Sequence, residues 1–129
     1  MSRKTIETFN DSTARFLTAS QSGSIIYIDT SSAEVNVNLP PPEAGLNFEF
    51  IITHSSTNAN SFIIKSVNSS YVHAALIYAG RLSDTVGKTI TVDSSAQTNL
   101  SDRIVVSSDG SNWFVSLTFS SIANYTLTP

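Results

Sequence analysis

Residues 35–52 constrain the fold of this chain more than any other part of it. Apolar and polar residues alternate up to Leu39, three prolines follow at 40–42, and a second alternating segment begins after Gly45. Alternation with a period of two is typical of a half-buried β-strand. Prolines cannot donate to a sheet ladder, and glycine permits the turn that returns the chain to a sheet. The stretch therefore predicts two strands joined by a stiff corner.

A second turn followed by a strand lies near the C-terminal end. Asp109-Gly110 is a common tight-turn pair, and Trp113 and Val115 share one face of the strand that follows. We therefore expect Trp113 in the core rather than on a sugar-binding platform. Alternation predicts an inward-facing set of apolar residues, namely Val35, Val37, Leu39, Phe48, Phe50, Ile52, Ile64, Ile90, Val92, Ile104, Val106, Val115 and Leu117.

Strand patterns recur at short intervals along the chain, between clusters of Ser, Asn, Asp and Gly. Roughly eight of them predict an all-β fold, specifically a jelly-roll-like β-sandwich. Residues 71–79 are apolar without a clean period of two. A short helix, a buried strand or a bulged edge strand would each fit them, and we favour a strand because the surrounding segments are β.

The two terminal segments, residues 1–12 and 120–129, differ from the predicted sandwich at 13–119. Each carries isolated apolar residues among polar neighbours. Frayed termini are one interpretation. The other is that both segments are extended arms that dock on a neighbouring chain or a shell. On that interpretation the partner-binding residues are Arg3, Lys4, Ile6, Phe9, Ile122, Tyr125 and Leu127.

Charge and length exclude several classes of protein. A length of 129 residues fits one domain, and the net charge of −3 argues against nucleic-acid binding, which needs clustered Lys and Arg. Only 13% of the residues are charged. A weakly charged polar surface suits packing against other subunits, although a β-rich composition gives the same bias. Without an apolar signal region or a membrane-length run, we expect synthesis in a cytoplasm and no membrane partner.

The residue types that carry chemistry are sparse. The chain has no cysteine, which excludes disulfides and thiolate zinc sites. His54 and His73 are far apart and lack carboxylates at ligand spacing, while turn formation accounts for Asp109. No calcium-type acidic run or Gly-x-Ser-x-Gly motif occurs. We expect neither an enzyme nor a metal or cofactor site.

Three segments together resemble structural proteins of tailed bacteriophages. They are residues 37–40, 44–50 and 109–115, within a region that extends from 35 to 119. The pattern is similar to small capsid decoration (head-stabilisation) proteins and to β-rich domains of phage fibres. The resemblance implies a jelly-roll-like fold, a homotrimer, and attachment to the major capsid protein on the outside of the head.

A protein of that class would be synthesised in the host cytoplasm and located on the capsid surface of the virion. Binding only to the expanded, assembled shell would stabilise that state by mass action, and repetition over symmetric sites would sum modest contacts. The alternative is a receptor- or glycan-binding fibre or knob domain. The position of the exposed apolar and aromatic residues distinguishes the two, because a shell needs a broad base and a sugar needs a rim pocket.

Overall fold

A computed structural model describes residues 6–53, 60–66, 72–78, 81–87, 89–92, 103–118 and 125–128. Within these residues the chain forms twelve β-strands and one short 3₁₀ helix, Ala19–Gln21, so the all-β prediction is confirmed with more strands than expected. The strands are β1 (Ile6–Phe9), β2 (Arg15–Phe16), β3 (Ile25–Ile28), β4 (Val35–Asn38), β5 (Asn47–Ile52), β6 (Phe62–Lys65), β7 (Val72–Tyr78), β8 (Arg81–Gly87), β9 (Thr89–Val92), β10 (Arg103–Ser108), β11 (Trp113–Thr118) and β12 (Tyr125–Thr128).

The strands form two sheets that pack face to face. Sheet A has seven strands in the order β1-β3-β5-β10-β11-β7-β8, and sheet B has five in the order β12-β9-β6-β4-β2. The rings of Phe50 on β5 and Phe62 on β6 meet across the space between the sheets, with centroids 5.4 Å apart. The pattern of residues 71–79 fitted a short helix, a buried strand or a bulged edge strand. They contain β7, which confirms the favoured prediction of a strand.

The two halves of the chain pair their strands differently. In the first half, β1, β3 and β5 are parallel in sheet A, while β2, β4 and β6 are parallel in sheet B. Successive strands thus alternate between the sheets and build a flattened coil. In the second half the pairs are antiparallel, except that β7 runs parallel to β11. Jelly rolls are built from antiparallel strands, so the jelly-roll order is not confirmed, whereas the arrangement in two sheets is.

The predicted inward face is confirmed wherever side chains are described. Trp113 is fully buried, as expected, and ten members of the predicted set are buried with it: Val35, Val37, Leu39, Phe48, Phe50, Ile52, Ile64, Ile104, Val106 and Val115. The other three, Ile90, Val92 and Leu117, lie on β9 and β11, with side chains outside the described part. Period-two alternation therefore identified the side of each strand that faces the core.

The proline corner and the Asp109-Gly110 turn lie against each other. The indole Nε1 of Trp113 donates a buried hydrogen bond of 3.2 Å to the carbonyl oxygen of Pro40. The backbone N–H of Gly45 donates to the carbonyl of Ser108, and the N–H of Ser108 donates to that of Leu46, at 3.0 and 2.9 Å. Two motifs that are distant in sequence thus form one end of the sandwich.

Glycine is required in both of these turns. Gly45 has φ +87° and Gly110 has φ +105°, a region that side-chain-bearing residues rarely adopt. The Asp109 carboxylate accepts hydrogen bonds from the N–H groups of Ser111 and Asn112, at 2.9 and 3.0 Å, which closes the second turn. This geometry confirms that Asp109 has a turn-forming role.

The described parts of the two terminal segments are strands, which differs from the expectation of extended arms. Ile6–Phe9 is β1 and pairs with β3 of the same chain, and the Phe9 side chain is only 5% exposed. Tyr125–Thr128 is β12 and pairs with β9. Pairing along an existing sheet satisfies the backbone of a polar segment, so a single apolar anchor is enough to hold it. In the described residues, no helix has the length and apolar character needed to span a membrane.

Candidate interaction surface

The described outer face of sheet A carries apolar side chains among polar ones. Five outward positions on β3, β5, β10 and β11 are half-buried or exposed hydrophobic groups, with Val105 and Phe114 at 38% and 42% exposure. The other outward positions on these strands are polar or charged, namely Asn47, Glu49, Arg103, Ser107 and Ser116. The register places Tyr27 beside Ile51, and Glu49 between Ile25 and Val105. We call the following residues the outer apolar patch: Ile25, Tyr27, Ile51, Val105 and Phe114.

One ion pair lies within this patch. The Nε atom of Arg103 is 3.0 Å from Oε1 of Glu49, with side chains 52% and 21% exposed. These two are the charged residues among the described side chains of the outer face of sheet A, so this part of the face has no net charge. A neutral, largely apolar face is desolvated at low cost when another surface covers it.

The outer face of sheet B, as far as it is described on β2, β4 and β6, is more polar, although Ile63 and Phe16 also face outward. Asn36 and Asn38 on β4 are half-buried, and the register sets them beside Ile63 and Lys65 of β6. Lys65 is exposed. The side chain with the largest exposed apolar area lies at the margin, where Phe16 of the edge strand β2 is 70% exposed. The two outer faces thus present different chemistry to the surroundings.

The predicted partner-binding residues that lie in the described part of the chain are on the edge strands of two different sheets. Arg3, Lys4 and Ile122 lie outside the described residues. Ile6 and Phe9 are on β1 at an edge of sheet A, and Phe9 is buried in the core of its own chain. Tyr125 and Leu127 are on β12, at an edge of sheet B.

The residues considered for chemistry are equally dispersed. Within the described part of the chain, no group of three or more His, Asp or Glu side chains is arranged to hold a metal ion. His73 is on β7 in register with Phe114 of β11, and His54 lies outside the described residues. Of the tyrosines considered for sugar stacking, Tyr27 lies in the outer apolar patch, Tyr78 ends β7, and Tyr71 lies outside the described residues.

The sequence analysis missed the outer apolar patch, although a signal for it was present. In sheet A, each of β3, β5, β10 and β11 carries two adjacent apolar residues, of which one is buried and the other faces outward; β6 of sheet B shows the same pattern at Ile63-Ile64. In a strand with a fully polar outer face, the second member would be polar. The pairs in sheet A are Ile25-Ile26, Ile51-Ile52, Val105-Val106 and Phe114-Val115.

Comparison with known proteins adds no relative. No protein-family model matches the chain, and a search of curated proteins finds no match. The described residues define a two-sheet all-β protein with an apolar patch on the outer face of sheet A.

Proposed function

We propose that this chain is a viral structural protein, a capsid decoration protein that binds the outer surface of a phage head and stabilises it. Its partners are the major capsid protein and other copies of itself, as a homotrimer. It is made in the host cytoplasm and resides on the virion. The resemblance of residues 37–40, 44–50 and 109–115 to phage decoration proteins supports this class. The same resemblance is our basis for proposing a jelly-roll-like fold and a homotrimer.

The observation that carries the proposal is the position of the exposed apolar groups. Apart from Phe16 on the edge strand β2, the exposed and half-buried apolar groups that we assign to the patch spread over one sheet face, on strands β3, β5, β10 and β11. A cement protein needs such a base, because it contacts an extended shell rather than a single small ligand. Val105 and Phe114 are the more exposed apolar groups of the patch, so we assign them to the contact with the shell. Arg3, Lys4 and Ile122 stay in the proposal as further contacts.

The mechanism follows from binding linkage. A protein that binds the expanded shell, but not its open or disassembled form, shifts the equilibrium towards the shell by an amount set by its concentration and affinity. The neutral patch supplies modest affinity per copy, and repetition over symmetry-equivalent sites makes the total effect large. This chain contributes a sheet face to the contact. On each of its strands, the residues that alternate with those of the patch are buried in the core.

The test is binding to expanded, undecorated heads of the phage that encodes the chain. Phe114→Glu places a charge in the patch, and we expect about a tenfold loss of affinity, equivalent to about 1.4 kcal/mol. Asn36→Glu makes the same change in charge on the outer face of sheet B and should leave the affinity unchanged. Equal binding by the two variants, or no binding by the unmodified protein, would overturn the proposal.

The second candidate, a receptor- or glycan-binding fibre domain, is favoured by one observation. Tyr27 lies half-buried on the outer face of sheet A, where its ring is able to stack on a sugar. Adsorption of the purified protein to host cells, abolished by Tyr27→Ala and unaffected by Phe114→Glu, would select this function over shell binding.

A further inference from the structure

Among the described strands, the first turn of the coil forms one edge of each sheet. β1 is an edge of sheet A and β2 is an edge of sheet B. An edge strand presents unpaired N–H and C=O groups, to which a strand of another chain can add. β1 pairs in parallel with β3, and β2 pairs in parallel with β4. Strands of a second copy could therefore pair with β1 and β2 in the same way and continue the coil.

Both edge strands carry a charged residue at an inward-facing position. The register sets Glu7 of β1 beside Ile26, and Arg15 of β2 beside Val37. Ile26 and Val37 are fully buried, whereas Glu7 and Arg15 are half-buried. Inward-pointing charges on edge strands are one of the ways in which natural sheets avoid edge-to-edge association.

Specific contacts hold the arginine over the end of the core. One guanidinium nitrogen of Arg15 donates to both carboxylate oxygens of Asp11, at 3.0 Å each. Its Cζ atom lies 4.9 Å from the centroid of the Phe9 ring, a cation–π geometry. The Nε atom is buried without a hydrogen-bond partner. An uncharged apolar side chain would cover Phe9 equally well. Arg15 instead leaves its buried Nε–H without a hydrogen-bond partner, which is unfavourable, so we infer that its charge has a role beyond packing.

We propose that Glu7, Asp11 and Arg15 form a charged cap that prevents β1 and β2 from pairing with the edge strands of a second copy of this chain. Addition of a strand at this end would enclose the carboxylates and the guanidinium in an extended core, where desolvation opposes the new backbone hydrogen bonds. The cap therefore ends the coil and prevents open-ended stacking of copies through β1 and β2, while association through other surfaces is unaffected. It acts in this way whatever larger structure the protein binds.

The test compares two variants that each lose one positive charge, by sedimentation velocity over a range of protein concentrations. Arg15→Leu removes the cap charge and retains an apolar cover for Phe9, so we expect at least about a twofold rise in weight-average mass, through open-ended stacking. Lys65→Leu removes an exposed positive charge on the outer face of sheet B, away from both the cap and the outer apolar patch, and should sediment like the unmodified protein. If Arg15→Leu also sediments like the unmodified protein, or if both variants assemble equally, the proposal is overturned.

A rescue experiment locates the assembly at β1. Adding Thr8→Lys to Arg15→Leu places a charge on the edge strand and should restore the original mass, whereas adding Ser116→Lys on the interior strand β11 should not. Should Arg15→Leu fail to fold, Glu7→Leu removes the other inward charge and leaves the Arg15–Asp11 pair in place. Failure of both variants to fold would overturn the proposal, because the charges would then serve folding rather than keep copies apart.

Discussion

The described outer faces of the two sheets are built on the same alternation and differ in chemistry. Sheet A presents Tyr27, Val105 and Phe114 around a single ion pair, while sheet B presents Asn36, Asn38 and Lys65. The described outward apolar residues of sheet B are Ile63 and, at the edge, Phe16. Both faces cover one shared core, so the stability of the core gives no reason for the outer face of sheet A to be apolar. We therefore propose sheet A, rather than sheet B, as the surface that another macromolecule covers.

The largest expected effect tests whether the outer apolar patch serves contact or stability. Phe50 and Ile51 are neighbours on β5, and the first is fully buried whereas the second faces outward and is half-buried. Phe50→Ala should lower the free energy of unfolding by about 3–5 kcal/mol, because it removes a ring from the packed core. Ile51→Ala should cost about 1 kcal/mol, since little additional area is exposed.

Urea denaturation of the two variants measures both quantities. A cost for Ile51→Ala close to that for Phe50→Ala would mean that the outer face contributes to the fold itself. The contrast between the two sheets would then have a structural cause, and the assignment of the patch to a partner would lose its basis.

The same pair of residues shows what sequence could predict. Period-two alternation in residues 47–52 identified Phe48, Phe50 and Ile52 as inward, and all three are buried. It gave no information about neighbours, because alternation determines the face of a residue but not the strand beside it. The parallel pairing of β3 with β5 links residues more than twenty positions apart and was for that reason not foreseen.

A second expected effect contrasts the two faces of β11. Trp113 is fully buried and donates to the Pro40 carbonyl, whereas its neighbour Phe114 is 42% exposed. Trp113→Phe leaves that buried carbonyl without its donor and should destabilise the protein by about 1–3 kcal/mol. Phe114→Ala should cost less than about 1 kcal/mol, because Phe114 lies on the outer face and is already partly exposed to water. Thermal unfolding followed by circular dichroism shows which variant is less stable. A larger loss of stability for Phe114→Ala than for Trp113→Phe would contradict our assignment of the two faces.

The termini show why the candidate site was harder to predict than the fold. Ile6 and Phe9 stand alone among polar residues, a pattern that fits an arm as well as an edge strand. Pairing with β3 decides between them, and that pairing depends on residues far along the chain. The outer apolar patch is likewise formed from four strands, so no single segment reveals it. Local patterns predicted the core, while the surface depended on which strands became neighbours.

The smallest expected effect concerns the ion pair of the outer apolar patch. The coupling energy between its two residues distinguishes a patch that is exposed to water from one that another surface covers. Arg103 and Glu49 are joined at 3.0 Å with 52% and 21% of their side chains exposed. A double-mutant cycle with Arg103→Gln and Glu49→Gln should give a coupling energy of about 0.2–1 kcal/mol in the isolated protein. Added salt should reduce it, because exposed charges are screened. A coupling above about 2 kcal/mol that salt does not change would show that the pair is shielded from water in the purified protein. In that case a second copy would already cover this face before any shell is present. The contact with the shell would then have to be made by a different surface of the protein.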